Sequence, residues 1–443
     1  MKQLPLFGTE GKVGLSPEFV YGEAAHKRAE TITFEDHIQS ALKLKDYLGI
    51  DWKFRGNFPS DFQNYVAGWN IPDSELENKT LRFLNLDLAG ATGCSRRCAH
   101  CYTMEGKIDE LRGIGKAQKL SHKELKLDNL LEVISSARDL GLKSVRVMGR
   151  GEPMECRDLV PFVAEMDNLG LTTVIFTRGH VLGDDHRAKS IYGSYGLNTG
   201  LDIANYLFRH RASLIVGYSS LDDTIHDGMV GISGHAVRVQ EGIKTAIQAG
   251  FLDRTTGATR LAIQTAVTKL NLTELPIGYT LWQRLGASPV YNSLMVTGRS
   301  DEEFFHKATS GFEERVDIHA QIVYSMIAMG IVSDKDITKV VGAYMGTKKC
   351  HDIEQGLYLT SAGIVFPCPV VDSPQTALGD VNQEGLKKIW EINPYKSREQ
   401  HICEPKRLHG FPNNFADLVA ESIELNKERY QKVHEEIHRR LGV

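Results

Sequence analysis

Three cysteines, Cys94, Cys98 and Cys101, stand in a C-x3-C-x2-C run within Gly93-Cys94-Ser95-Arg96-Arg97-Cys98-Ala99-His100-Cys101-Tyr102. The run brings three thiolates to one small volume and supplies no fourth. A [4Fe–4S] cluster held by three cysteines keeps one iron open to an outside ligand, and such an iron can do chemistry rather than only carry electrons. Close cysteine pairs also build zinc ribbons. The decision therefore rests on whether the remaining chain makes a place for an open iron to work.

Other reactive residue types recur in two more places. Gly149-Arg150-Gly151-Glu152-Pro153 pairs glycines, which let backbone approach a ligand closely, with a carboxylate able to accept hydrogen bonds from an ammonium group. Cys156 follows four residues after Glu152; its ordinary reading is a buried thiol. A second trio, Cys350, Cys368 and Cys403, lies toward the C-terminus, with Gly363 between its first two members in a C-x12-G-x4-C spacing.

The elements that must carry these residues follow a strand-then-helix rhythm from about residue 81. Strands are expected at 81–88, 144–148, 173–176, 214–218, 260–267 and 290–296, the first running straight into the cysteine loop. Between them, a capping box at Ser121-His122-Lys123-Glu124 opens a helix closed by Gly141, and helices are expected at 157–169, 201–210, 235–249 and 273–285. A glycine-rich insertion is read at 181–200. Six βα units in series argue for parallel strands with right-handed crossovers, in a doubly wound sheet or an incomplete barrel. In either, the active site lies at the C-terminal ends of the strands, where the cysteine loop and the Gly149–Pro153 loop both fall.

Flanking regions are plainer. Before residue 81 there is one clear helix, N-capped by Thr33 and ended by Gly49, then a loop-like stretch with Pro59 and Pro72. After residue 300 a helix near 312–330 precedes the second cysteine trio, and the last thirty or so residues read as one amphipathic helix through Phe415, Val419, Ile423, Tyr430, Ile437 and Leu441.

The whole chain of 443 residues has a formal net charge of −4, which gives no reason to expect nucleic acid or an anionic membrane surface as a partner. No apolar run approaches the ~18–20 residues of a membrane span, and the start, Met1-Lys2-Gln3-Leu4-Pro5, lacks a signal-peptide core. Seven cysteines are too few, and odd in number, for a disulfide framework, so a reducing cytoplasm is expected.

With these motifs in view the chain resembles the radical S-adenosylmethionine (SAM) enzymes. The C-x3-C-x2-C loop after the first strand is that superfamily's signature, and Gly149–Pro153 resembles the motif that holds the SAM amino group. Tyr218-Ser219-Ser220-Leu221-Asp222 is similar to the strand-four motif whose serine contacts SAM, and Thr177-Arg178-Gly179 stands where many members carry Thr-Asn-Gly. The resemblance thus implies cofactor-binding roles for Gly149, Gly151, Glu152, Thr177, Ser219 and Ser220, with His100 in place of the aromatic residue that faces adenine. Val230 stands near where relatives place an arginine for the SAM carboxylate; Arg238 and Arg178 are the candidates to substitute. The Cys350–Gly363–Cys368 spacing, followed by Leu378-Gly379-Asp380-Val381, resembles SPASM and Twitch domains, which bind auxiliary [4Fe–4S] clusters. Cys350, Cys368 and Cys403 would hold one such cluster, with the fourth ligand open between Asp372, His351, substrate or none. By analogy with radical SAM epimerases, Cys156 is a candidate hydrogen donor.

The expected architecture is α/β: a partial (β/α)6 TIM-like barrel over 81–310, an N-terminal extension over 1–80, and a small C-terminal α+β iron–sulfur domain over 311–443. The implied activity is reductive cleavage of SAM to a 5′-deoxyadenosyl radical and hydrogen abstraction from a C–H bond, with net oxidation assisted by the auxiliary cluster and flavodoxin or ferredoxin as electron donor. The N-terminal segment lacks the βββααα rhythm of a leader-peptide-binding domain, which favours a small natural-product or sugar-like substrate. Crosslinking of a precursor peptide, and redox-neutral epimerisation or elimination, are the alternatives.

Overall fold

The computed structural model describes residues 21–49, 61–62, 79–88, 94–102, 125–252, 258–296, 300, 302–337, 352–370, 374–397 and 414–443. The capping box at 121–124, Cys350, His351, Asp372 and Cys403 lie outside the described residues.

Six strands run parallel in chain order: β1 Phe83–Leu86, β2 Ser144–Val147, β3 Thr172–Thr177, β4 Ser213–Gly217, β5 Leu261–Val267 and β6 Ser288–Ser293. Each is close to where the alternation places it. The Val, Ile and Leu content of β1 to β5 fits strands buried on both faces, whereas β6, at the edge, is mostly half-buried. Three more strands, β7 Gly356–Leu359, β8 Ile364–Phe366 and β9 Gly379–Asp380, extend the same sheet, whose order is β9-β8-β7-β1-β2-β3-β4-β5-β6. The sheet stays open, with β9 and β6 at its edges, as an incomplete barrel requires.

The C-terminal hairpin is continuous with the barrel. β7 pairs parallel with β1 in the register Phe83↔Gly356 through Leu86↔Leu359. Gly356 makes this approach possible, since a Cβ there would lie 2.0 Å from the Phe83 ring. Leu357, Leu359, Val365 and Trp390 join Leu84 and Val145 in one apolar core.

Helices surround the sheet: α1 Glu23–Thr31, α2 Phe34–Leu48, α3 Leu127–Ala137, α4 Leu159–Asn168, α5 Asp185–Tyr192, α6 Gly200–Arg209, α7 Asp223–Val230, α8 His235–Gln248, α9 Leu275–Leu285, α10 Glu302–Ala308, α11 Phe312–Ala328 and α12 Leu386–Ile392. Helix α2 behaves as its sequence predicts: Thr33 and Asp36 form a reciprocal capping box, and Gly49 ends the helix at φ 68°. It sends Ile38, Ala41, Leu44 and Leu48 into the main core.

Three expectations need correction. Helix α3 opens at Leu127, with extended Lys126 as its N-cap and no side-chain cap bond, so a capping box at 121–124 does not open it. The glycine-rich stretch 181–200 contains α5, because Asp184 caps it by accepting the Arg187 N–H at 3.0 Å. The single C-terminal helix is two, α13 Phe415–Leu425 and α14 Lys427–Leu441. Asn426 breaks it: its Nδ2 donates to the Ser422 carbonyl at 3.0 Å, a local bond that competes with helical continuation. As a result Phe415, Val419 and Ile423 pack with Ala320 and Val323 of α11, while Ile437 and Leu441 reach the main core.

Candidate active site

At the C-terminal ends of the strands lies a cavity of about 270 Å³. Cys94, Cys98 and Cys101, from the loop after β1, face it together with Cys368 from the turn after β8. Three thiols from one loop spaced around a cavity suit a cubane cluster, three of whose irons would each take one of them and leave the fourth open.

The loop after β2 reaches the same cavity. Gly149 and Gly151 adopt φ 108° and 85°, and a Cβ on Gly149 would lie 2.9 Å from the Tyr358 hydroxyl. Glu152 is buried and already accepts the Thr177 hydroxyl, the Met154 N–H at 3.1 Å and the Arg178 N–H at 2.9 Å. A carboxylate has about four acceptor positions, so these bonds aim the group and leave capacity for one more donor.

Behind the cysteine loop, Glu155 acts as its anchor. It accepts the Ser95 N–H at 3.0 Å, the Ser95 hydroxyl and the Arg187 guanidinium, and meets His180 Nε2 at 2.9 Å. Burial pushes its carboxyl up, but the bonds from His180 and Ser95 outweigh that and hold it at about 2. Nothing in the sequence marks Glu155, since its partners come from two loops and helix α5, far apart along the chain.

On the other wall, strand residues turn polar side chains inward. Arg146 of β2 lies over the Phe83 ring at 3.6 Å and donates to Asn85 at 3.4 Å and to Asp352 at 3.2 Å. Gln264 and Asn292 line the cavity from β5 and β6, and the Asn292 Oδ1 has no hydrogen-bond partner among the described residues. Sequence reasoning missed this wall, although a charge inside Ser144-Val145-Arg146-Val147 was a visible signal.

Comparison with known proteins bears on this arrangement. Residues 350–410 match the model of the SPASM family, an iron–sulfur cluster-binding domain. The chain superposes on the structure of anSMEcpe with bound AdoMet at a TM-score of 0.52, with 12% identity over 82% of this chain and 98% of that one. The chain thus shares the fold of anSMEcpe, and its residues 350–410 form a SPASM domain. It is also 24% identical, over 230 residues, to an S-adenosylmethionine-dependent nucleotide dehydratase of Flammeovirga pacifica, covering 52% of this chain and 69% of the relative. SuiB of Streptococcus suis bound to S-adenosylmethionine superposes at a TM-score of 0.46, with 14% identity over 73% of this chain and 69% of SuiB.

Within this fold the sequence-predicted residues divide. Gly149, Gly151, Glu152, Thr177 and His100 line the cavity with the three cysteines. His100 sits edge-on to Tyr21, 5.7 Å between centroids, and burial, with the nearby Arg178 charge, pushes its imidazole down to about 3, so it is neutral. Of the two candidate arginines, Arg178 lines the cavity, donating to Ser219 Oγ and to Cys98 Sγ, each at 3.2 Å. Arg238 is exposed on α8.

The serines lie outside the cavity lining, where the end of β4 contributes Gly217 instead. Ser220 donates its hydroxyl to Glu274 at 3.0 Å, and Ser219 reaches the cavity only through Arg178. The Ser219 N–H donates to His226 Nδ1 at 3.1 Å, so His226 carries its proton on Nε2, 3.0 Å from His235 Nδ1. Cys156 is likewise off the cavity wall: it is 4% exposed, and its thiol donates to the Leu88 carbonyl at 3.5 Å. As a hydrogen donor to a substrate in this cavity it is misplaced. Burial pushes its thiol up to about 11.

Proposed function

We propose that this protein binds a [4Fe–4S] cluster at Cys94, Cys98 and Cys101, binds SAM beside it, and oxidises a small polar metabolite at a C–H bond. The observation that carries the reading is the convergence of those three cysteines, Glu152 and Cys368 on one cavity. When bound, the cluster supplies the electron that cleaves SAM to methionine and a 5′-deoxyadenosyl radical. Glu152, aimed by Thr177 and the Arg178 N–H, accepts the SAM ammonium through its remaining acceptor position. The Arg178 guanidinium, beside Cys98, meets the SAM carboxylate in place of the arginine that Val230 displaces. His100, neutral and half-buried, offers an uncharged ring to adenine.

Substrate specificity resides in the wall formed by Asn85, Arg146, Gln264 and Asn292. Its one strand cation is matched by Asp352, so the wall offers amide hydrogen bonds rather than net charge, which supports a hydroxylated or amide-bearing small molecule. Cys368 on the same cavity supports an auxiliary cluster near that substrate, where it would accept an electron and make the net change an oxidation.

A second reading, loss of water from a hydroxylated substrate, is supported by the similarity to the nucleotide dehydratase. Anaerobic reconstitution followed by iron counting and 5′-deoxyadenosine assay tests the shared chemistry. About eight irons per chain are expected, falling to about four in Cys368→Ser; no 5′-deoxyadenosine in the presence of SAM and dithionite overturns the proposal. Product mass then separates the outcomes: loss of two hydrogens for oxidation, loss of water for dehydration, no change for epimerisation.

A further inference from the structure

Helices α1 and α2 belong to a segment with no counterpart in the family resemblance, yet they touch elements of the site from outside the barrel at three places. Tyr21, just before α1, is 2% exposed and packs edge-on against His100. Arg28 of α1 pairs with Asp222 of the strand-four motif at 2.8 Å, while Asp222 caps α7 by accepting the Thr224 and Ile225 N–H groups at 2.9 and 3.1 Å. His37 of α2, buried, lies between Thr273 at 3.1 Å and Glu274 at 3.5 Å. Glu274 in turn accepts the Ser220 hydroxyl at 3.0 Å and the Leu221 N–H at 3.1 Å.

The packing beneath these polar contacts is close. A Cβ on Gly228 of α7 would lie 2.4 Å from the Ala25 Cβ and 2.7 Å from the Tyr21 carbonyl, so only glycine lets α1 seat this deeply. Tyr21, Ala25, Ile225 and Met229 share one apolar cluster with Phe304. The loop 219–222 is thus held on its outer side from two separate helices, directly by the Arg28–Asp222 ion pair and, through Glu274, by His37. Its inner side bears on Arg178 through Ser219.

We propose that α1 and α2 form a brace that positions the 219–222 loop and His100, and so sets SAM affinity without touching SAM. Arg28 and His37 are its positioning residues. Releasing either lets the loop shift, and Arg178 loses the Ser219 oxygen that orients its guanidinium. This inference rests on the SAM-binding reading above. It also assigns the N-terminal helices a structural task in the site, distinct from recognising a substrate.

The test uses full-length protein, anaerobically reconstituted, with SAM as the probe in equilibrium dialysis. Arg28→Met is expected to weaken SAM binding about tenfold, the scale of one charge-assisted hydrogen bond, and His37→Leu about fivefold, the scale of one neutral hydrogen bond. Iron per chain and the electron paramagnetic resonance signal of the reduced, SAM-free cluster stay as in the parent, and KM for SAM rises while kcat is largely kept. Arg28→Lys, which keeps the charge, recovers most of the affinity and serves as the mild variant should Arg28→Met fold poorly. Unchanged SAM affinity in both variants overturns the brace, as does iron loss that runs parallel with affinity. Absence of SAM binding in the parent protein would instead overturn the functional reading itself.

Discussion

Replacing Glu155 by Gln removes one negative charge from behind the cysteine loop while keeping the side chain's shape. That charge serves Ser95 twice, His180 and Arg187, with Arg96 3.8 Å away. Its carboxyl titrates at about 2 rather than 4.5, because bonds from His180 and Ser95 overcome the cost of burial. Each tenfold gain in acidity is worth about 1.36 kcal/mol, so the full drop corresponds to about 3 kcal/mol. Arg187 is 35% exposed, and water screening at that edge lowers the expected loss to about 2 kcal/mol. The sign follows from linkage. A carboxyl depressed in the folded state stabilises fully above its unfolded value and loses that contribution as pH falls through its folded one. In urea unfolding of the reduced protein, Glu155→Gln should therefore lag the parent by about 2 kcal/mol at pH 7, a gap that shrinks by more than half by about pH 3. A gap under about 0.5 kcal/mol at pH 7, within the ordinary range of surface substitutions, would refute the anchor. So would a gap that persists undiminished in acid.

Gly149→Ala forces a side chain onto φ 108° and into the Tyr358 hydroxyl, at a cost of about 1–3 kcal/mol read by thermal unfolding; a neutral result would mean the loop relaxes freely. Asp352→Asn leaves Arg146 buried beside a neutral group and should cost about 3–5 kcal/mol in chemical denaturation, whereas Arg146→Met with Asp352→Leu should cost much less; equal losses would argue against the pair. Cys156→Ala should keep both SAM cleavage and product release, since the thiol faces Leu88 rather than the cavity. SAM consumption with product release abolished would restore the thiol as a hydrogen donor.

The barrel was legible because its signals are local: alternating apolar strands, glycines ending helices, and a cysteine run whose spacing has few uses. Glu152 was legible for the same reason, sitting in a short motif at a strand end. What the sequence concealed is held by contacts distant along the chain. Glu155 gathers Ser95, His180 and Arg187; Arg146 meets Asp352 only because β7 docks on β1. Ser220 matched a motif yet turned toward Glu274, a partner 54 positions away that no pattern announces. The break at Asn426 was readable in principle, since asparagine inside an amphipathic run offers its own hydrogen bond against the helix.

The continuity of the sheet bears on how an auxiliary cluster at Cys368 would work. A separate domain on a linker could approach and leave the cavity, and its distance from substrate would vary. Here β7 is laddered to β1 from Phe83↔Gly356 to Leu86↔Leu359, and Asp352, just before β7, is ion-paired to Arg146 inside the barrel. Swinging the hairpin away would expose the apolar faces of Leu357 and Leu359 and leave a buried guanidinium without its carboxylate, several kcal/mol in all. The hairpin that carries Cys368 is therefore fixed relative to β1, which suits an electron acceptor that must be in place the moment a substrate radical forms. Barrel and hairpin should accordingly unfold in one cooperative transition, with tryptophan fluorescence (Trp282 in the barrel, Trp390 beside the hairpin) and far-ultraviolet circular dichroism coincident. A separate, earlier transition of the hairpin would show that the ladder is weaker than its register implies, and would return the cluster to a mobile domain.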